Sequence, residues 1–225
     1  MQKIISTPHS KIEMTTFGKK DLNSIDFSSP SSTQQIKDFL SERYGSPKEK
    51  IYGLNQVHGV QIFKAEESHP PLTGDGLWTE RKDFLLYVKT ADCMPLFFWS
   101  HTHPLIGILH SGWKGTRDGI TQKMIAHIRH IYPSIGLTFF LGPCIRGYEY
   151  EVKEDVSTYF ESFKSGIMKK EGKIYLGLEN VVHEVLNECD IEIDDSNLST
   201  LSHPDYFSHR GKDTGRNINV IRFIP

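Results

Sequence analysis

The chain has 225 residues, 26 lysines and arginines against 28 aspartates and glutamates, and a formal net charge of −2. Its 37% hydrophobic and 24% charged fractions are those of a soluble globular protein with one large domain or two small ones. The near-neutral balance excludes nucleic acid and anionic membrane as expected partners, since both call for a basic surface.

No run approaches the roughly 18 consecutive apolar residues of a membrane span. The first residues, MQKIISTPHSKIEMTT, lack the apolar core of a secretory signal. Three scattered cysteines, Cys93, Cys144 and Cys189, make no disulfide framework. A cytoplasmic protein with reduced thiols is expected. Along the chain, Lys19 to Thr33 (KKDLNSIDFSSPSST) is polar and turn-rich and predicts a surface loop. Glu66 to Gly76 (EESHPPLTGDG) predicts a second irregular stretch. Four short apolar runs bounded by turn residues predict buried strands: Leu85–Val88, Pro95–Trp99, Leu105–Leu109 and Leu137–Leu141. Ile120, Met124, Ile128 and Ile131 recur at helical spacing, and Asp155–Phe163 and Leu178–Leu186 predict two further helices. Ile218–Ile224 predicts a last strand. Strands and helices alternate over the whole length without repeat or linker, which points to one α/β or α+β domain spanning residues 1–225.

Eleven histidines in 225 residues prompt a search for metal ligands. Three segments place reactive side chains beside turns: Leu54-Asn-Gln-Val-His58-Gly59, Thr90-Ala-Asp-Cys93-Met-Pro95 and His110-Ser-Gly-Trp-Lys-Gly-Thr116. One thiolate and two imidazoles, from Cys93, His58 and His110, suit zinc, which accepts mixed sulfur and nitrogen donors and leaves a fourth position open in catalytic sites. The spacings of 35 and 17 residues lack a short-range ligand signature, so a buried cysteine, a capping histidine and a core histidine are the competing description. The turn before Thr116 either holds an anion on free backbone N–H groups with Lys114 or is a simple helix start with a solvated lysine. Other motifs fail on their own chemistry. Trp113 separates Gly112 from Lys114, so there is no phosphate loop, and Leu109 and Trp113 flank Ser111 where a nucleophile elbow requires glycines. His101-Thr-His103 is expected to be an exposed turn, and His203 and His209 to lie on the surface unless the fold brings them inward.

These segments resemble the YfiH-like, laccase-domain or polyphenol-oxidase-type family, described as purine nucleoside phosphorylases with adenosine deaminase activity. The matching stretches are QVHG (Gln56–Gly59), GDG (Gly74–Gly76), TADCMP (Thr90–Pro95), HSGWKGT (His110–Thr116), GPCI (Gly142–Ile145), YEV (Tyr150–Val152) and TGR (Thr214–Arg216). The resemblance implies a single α/β domain of layered mixed sheets flanked by helices, and His58, Cys93 and His110 as zinc ligands. It implies phosphorolysis of adenosine, inosine, guanosine or methylthioadenosine and hydrolytic deamination of adenosine, with purine nucleosides and phosphate as partners. For this chemistry Asp92 and Asp75 are the nearest acid/base candidates by sequence, with Asp75 also a substrate contact, and Lys114 and Arg216 are expected to cradle phosphate. The chain departs from the family pattern where Thr15-Thr-Phe-Gly-Lys-Lys20 replaces an Arg-x-Gly-Gly-Val-Ser-like segment, where Ser199 and Ser202 replace a cysteine pair, and where Lys114 follows Trp113 in place of arginine. Two other chemistries draw on the same residues: a copper oxidase acting on phenols, and a cysteine hydrolase with Cys93 as nucleophile and His110 as base.

Overall fold

A computed structural model describes residues 1–224. Strands β1 (Gln2–Ser6) and β2 (Lys11–Phe17) open the chain as an antiparallel pair. The expected surface loop then runs to Ser31, where helix α1 (Ser32–Tyr44) starts; it ends at Gly45 in the left-handed conformation that favours glycine. Strands β3 (Ile51–Tyr52), β4 (Ile62–Lys64), β5 (Gly76–Thr79), β6 (Leu85–Thr90), β7 (Met94–Ser100) and β8 (Ile106–Ser111) follow. Helices α2 (Trp113–Arg117) and α3 (Ile120–Ile131) and strand β9 (Leu137–Leu141) come next. The remainder is β10 (Glu151–Val152), α4 (Glu154–Ser157), β11 (Ile167–Lys170), β12 (Lys173–Leu176), α5 (Leu178–Glu188), β13 (Glu192–Asp195) and β14 (Asn217–Ile224).

The strands form a five-stranded sheet of order β1-β2-β14-β6-β3, a six-stranded sheet of order β13-β9-β7-β8-β5-β4 and a small sheet of order β10-β12-β11. Both large sheets are mixed, with β3 parallel to β6 and β13 parallel to β9 among antiparallel pairs. Side chains of β2, β6 and β14 meet those of β7 and β8 in a core that includes Met14, Leu86, Val88, Phe97, Ile108 and Phe223. The other face of the six-stranded sheet packs on α3 and α5 through Leu96, Phe98, Met124, Ile128 and Val182. The other face of the five-stranded sheet packs on α1 through Leu85, Tyr87, Ile36 and Leu40. The result is four layers, helix, sheet, sheet, helix, which explains why β7 is buried on both faces and reads as an unbroken apolar run.

Four expectations change in detail. Strand β8 continues to Ser111, so His110 lies within the strand and not after it. The helix expected over Asp155–Phe163 is one α-turn continued by a 3₁₀ turn at Thr158–Phe160, from which Phe160 still reaches the core. Ile131 is the last residue of α3 and is 42% exposed, because the chain turns in toward the sheet only at Tyr132. Helix α2 starts at Trp113, ahead of the expected Thr116, and is five residues long.

Candidate metal centre and cavity

The chain crosses from the first sheet to the second between β6 and β7, at Ala91–Cys93. Asp92 takes a left-handed backbone at this crossing (φ 86°), as does His58 in the β3–β4 connection (φ 59°); aspartate and histidine are among the few side chains that tolerate it. These turns bring His58, Cys93 and the His110 ring of β8 together, with one ligand atom of each lying within 4.8 Å of the others. His110 is buried, Cys93 partly so, and His58 is exposed.

Behind them sits Asp75, fully buried just ahead of β5. Its carboxylate accepts Nδ1–H of His110 at 2.7 Å and the backbone N–H groups of Val57, His58 and Gly59 at 3.3, 3.0 and 2.7 Å. Burial pushes Asp75 up, but His110 and these amides outweigh it and hold the carboxyl below the usual carboxylate range. A carboxylate on Nδ1 fixes the tautomer, so Nε2 of His110 is the atom turned toward Cys93 and His58. Burial also pushes the Cys93 thiol up. The charge and hydrogen bond of His110, with a hydrogen bond to His58, more than reverse this and bring it to about 6. Burial likewise pulls His110 down, while Cys93 and Asp75 together raise it to about 9. Close approach at the triad also requires Gly112, where a Cβ would stand 2.9 Å from Cys93 Sγ and 3.0 Å from His58 Cδ2.

The triad opens on a cavity of ≈ 590 Å³ whose walls include Trp113, Tyr150, Asp92, Lys89, Arg210 and Arg216. Asp92 is the only carboxylate among the lining residues described. Its two oxygens accept the Thr200 hydroxyl at 2.7 Å and the Arg210 backbone N–H at 2.6 Å. The structure therefore brings together His58, Cys93, His110, Asp92 and Arg216. It does not bring Asp75 to the cavity wall, since that side chain is buried behind His110 and bonded to it and to the amides of Val57, His58 and Gly59, where the sequence expectation had it touch substrate. Nor does it bring Lys114, which is exposed on α2 with its ammonium 5.6 Å from the Trp113 ring centre, outside the lining residues. His209, expected on the surface, does line the cavity, as the long segment before β14 folds over it. Neither Lys89 nor Arg210 belongs to a motif of its own in the sequence, and Tyr150 stands there only within the YEV stretch. The adjacent Asp92-Cys93 pair was the one available signal for Lys89, four residues upstream in the same strand-to-turn segment.

The family model described as "Multi-copper polyphenol oxidoreductase laccase" matches residues 11–224. The chain belongs to this family. A relative from Deinococcus radiodurans named purine nucleoside phosphorylase is 31% identical over 187 residues, covering 79% of this chain and 70% of the relative. Another of that name from Clostridium acetobutylicum is 33% identical over 180 residues, covering 75% of each. Among solved structures, the Bacillus licheniformis hypothetical protein YfiH superposes with a TM-score of 0.74 at 26% identity over 85% of this chain and 82% of that one. A Neisseria meningitidis protein shares the fold, with a TM-score of 0.80 at 20% identity over 100% and 99% of the two chains.

The laccase-type family description implies a metal, and the donors can be tested against one. A tetrahedral ion with bonds of about 2.0 Å to nitrogen and 2.3 Å to sulfur needs ligand atoms about 3.4–3.6 Å apart. The triad, within 4.8 Å, meets that with a small closure. One cysteine sulfur, two imidazoles, a carboxylate bracing one imidazole and an open side toward the cavity make a donor set that could hold such an ion. Met94 is fully buried in the core and does not join it. The His101 ring bonds Thr138 and Trp99, and the His103 ring packs on Tyr132, so no second cluster of three donors forms among the described residues. No helix is long and apolar enough to cross a membrane among the described residues.

Proposed function

We propose that this protein is a zinc-dependent purine nucleoside phosphorylase that also deaminates adenosine hydrolytically. The observation that carries this is the three-donor site, braced by Asp75, set in the wall of a cavity of ≈ 590 Å³. That volume is in the range of small-molecule sites. Two relatives named purine nucleoside phosphorylase, each matching about three quarters of the chain, support the substrate class. His58, Cys93 and His110 hold the ion, which when bound supplies Lewis-acid chemistry at neutral pH. Trp113 and Tyr150 offer aromatic faces for the purine of adenosine, inosine, guanosine or methylthioadenosine. In phosphorolysis a phosphate oxygen bonds to C1′ as the C1′–N bond breaks, its electron pair leaving with the purine nitrogen. We assign the accompanying proton to Asp92, supported by its being the one carboxylate among the cavity's lining residues described.

The test is metal analysis beside turnover. Wild-type protein is expected to hold about one zinc per chain and to convert adenosine and phosphate to adenine and ribose 1-phosphate, with inosine and ammonia as the deamination products. Cys93→Ala is expected to lose both metal and turnover. Stoichiometric zinc without either product would refute the nucleoside assignment.

A second reading rests on the Cys93–His110 pair, whose thiol at about 6 and imidazole at about 9 describe a thiolate beside an imidazolium, the arrangement of a cysteine hydrolase. Metal content separates the two. A protein purified without zinc or copper whose Cys93 is acylated by an amide or ester substrate favours the hydrolase.

A further inference from the structure

Trp113, the first residue of α2, lines the cavity and packs, partly buried, on the core beneath the six-stranded sheet. Its remaining neighbours come from outside the cavity. The ring of Tyr159, in the 3₁₀ turn Thr158–Phe160, stacks on the indole with 6.3 Å between centres and 27° between planes. The Arg117 guanidinium lies against both rings, 5.5 Å from the centre of Trp113 and 4.8 Å from that of Tyr159. Arg117 is held in turn by the Asp118 carboxylate, to which it donates from Nε at 2.7 Å and from a terminal nitrogen at 3.0 Å. Neither Tyr159 nor Arg117 is among the residues that line the cavity.

The fold itself has little use for this stack. Tyr159 is 51% exposed, so it removes little apolar surface from water. Its turn is anchored in the core by Val156, Phe160 and Phe163 instead. The indole has more to gain. A tryptophan at the start of a five-residue helix has two side-chain torsions to set, and core packing restrains only part of a ring that is also partly exposed. Arg117 stands four residues after Trp113, the spacing at which side chains meet on one face of a helix. Offset stacking and a cation over the ring each favour a narrow range of ring orientations. Together they set the plane of the indole, and with it the shape of the cavity wall, from behind.

We infer that Tyr159 and Arg117 clamp the Trp113 ring and are positioning residues for a planar aromatic ligand bound against it. A ring already held in its binding orientation has no ordering cost left to meet when the ligand arrives. That the ligand is a purine nucleoside rests on the function proposed above, whereas the clamp does not. The metal triad has its own brace in Asp75, so the clamp acts on binding of the base and not on metal content.

The experiment uses metal-loaded protein carrying fluorotryptophan at its three tryptophans, so that fluorine NMR reads each ring separately. Trp113→Phe assigns the Trp113 line, and the lines of Trp78 and Trp99, both buried in the core, serve as internal controls. Wild type, Tyr159→Ala, Tyr159→Phe and Arg117→Gln are compared, with metal content measured and adenosine titrated on the same samples. Tyr159→Ala is expected to move the Trp113 line toward its position in the unfolded protein, leaving the other two lines and the metal content unchanged. Adenosine affinity is expected to fall about 3–10-fold in this variant and about 2–4-fold in Arg117→Gln. Tyr159→Phe keeps the ring and is expected to keep the wild-type line and affinity. A Trp113 line unmoved in both Tyr159→Ala and Arg117→Gln overturns the clamp. A Tyr159→Ala protein that moves all three lines or loses its metal also overturns it, since the tyrosine would then support the fold. So does a Tyr159→Phe protein that behaves as Tyr159→Ala, since the hydroxyl would then be acting and not the stack. A displaced Trp113 line with unchanged adenosine affinity overturns the role in binding. If wild type binds no adenosine, the nucleoside reading fails, while a displaced Trp113 line still supports the clamp and an unmoved one still overturns it.

Discussion

One oxygen of Asp75 accepts both the Nδ1 proton of His110, at 2.7 Å, and the backbone N–H of His58, at 3.0 Å. The two histidines come from elements 52 residues apart in sequence, a strand and a loop. This one carboxylate sets the tautomer of the first and the backbone position of the second. The geometry of the triad is thus determined one layer behind it.

Asp75→Asn tests this. The amide cannot accept from His110 and from three backbone N–H groups as the carboxylate does, and it places an N–H beside donors. Metal affinity is expected to fall by about 10–100-fold, read by competition against a chromophoric chelator. An affinity equal to wild type would show that the triad holds its own geometry.

Gly112→Ala adds a methyl group 2.9 Å from Cys93 Sγ and 3.0 Å from His58 Cδ2. Strand β8 and helix α2 hold the backbone there, so the sulfur and the ring must yield. A loss of about 1–3 kcal/mol in denaturant unfolding is expected, together with weaker metal binding. A stable variant with normal zinc content would refute the close packing at the triad.

Lys114→Ala should leave the KM for phosphate unchanged, since this side chain is exposed beside Trp113 and outside the cavity walls. Steady-state phosphate titration decides it, and a several-fold rise would return Lys114 to the site.

Away from the cavity, Asp195 at the end of β13 accepts from both terminal nitrogens of Arg146 and from the Asn197 backbone at 2.8 Å, with His183 Nε2 at 3.2 Å. Burial raises Asp195, but His183, Arg146 and Asn197 prevail and hold it below the ordinary carboxylate value. A carboxyl depressed in the folded state contributes stability that is fully present above its unfolded value, about 3.9, and is lost as pH falls through the folded one. Wild-type unfolding free energy should therefore decline below about pH 4 more steeply than that of Asp195→Asn. That variant should also be less stable at pH 7 by about 3 kcal/mol, because Arg146 loses its partner in a mostly buried place. Parallel pH profiles for the two proteins would dismiss the pair.

Much of the fold was legible wherever burial is two-sided. Strands β6 to β9 announce themselves as apolar runs because the opposite sheet covers one face and a helix layer the other, and α3 and α5 because one helical face meets a sheet. Strands β1 and β2 and helix α1 escaped notice. Gln2–Ser6 alternates weakly at the outside edge, and α1 buries only Ile36 and Leu40. At the site, the triad could be proposed from residue type and turn context. Its geometry could not, because it depends on the crossing between sheets at Asp92-Cys93 and on a carboxylate that bonds backbone as much as side chain. Asp75 illustrates the limit: its position beside Gly74 and Gly76 marks a site, yet only the fold shows it turned away from the cavity. Lys89 shows the reverse, a strand lysine that becomes a wall residue only when β14 lies against β6.

Strand β14 is the last described element in sequence but lies in the middle of its sheet, between β2 and β6. During synthesis, β2 and β6 therefore emerge long before the strand that separates them and wait with open edges. Such edges invite wrong pairings, with each other or with another chain. Cells making this protein must protect an unfinished sheet for about as long as the ribosome takes to add the residues from 91 to 216. The arginine wall of the cavity is completed only as that sheet closes, so ligand binding by the nascent chain comes after its topology is settled.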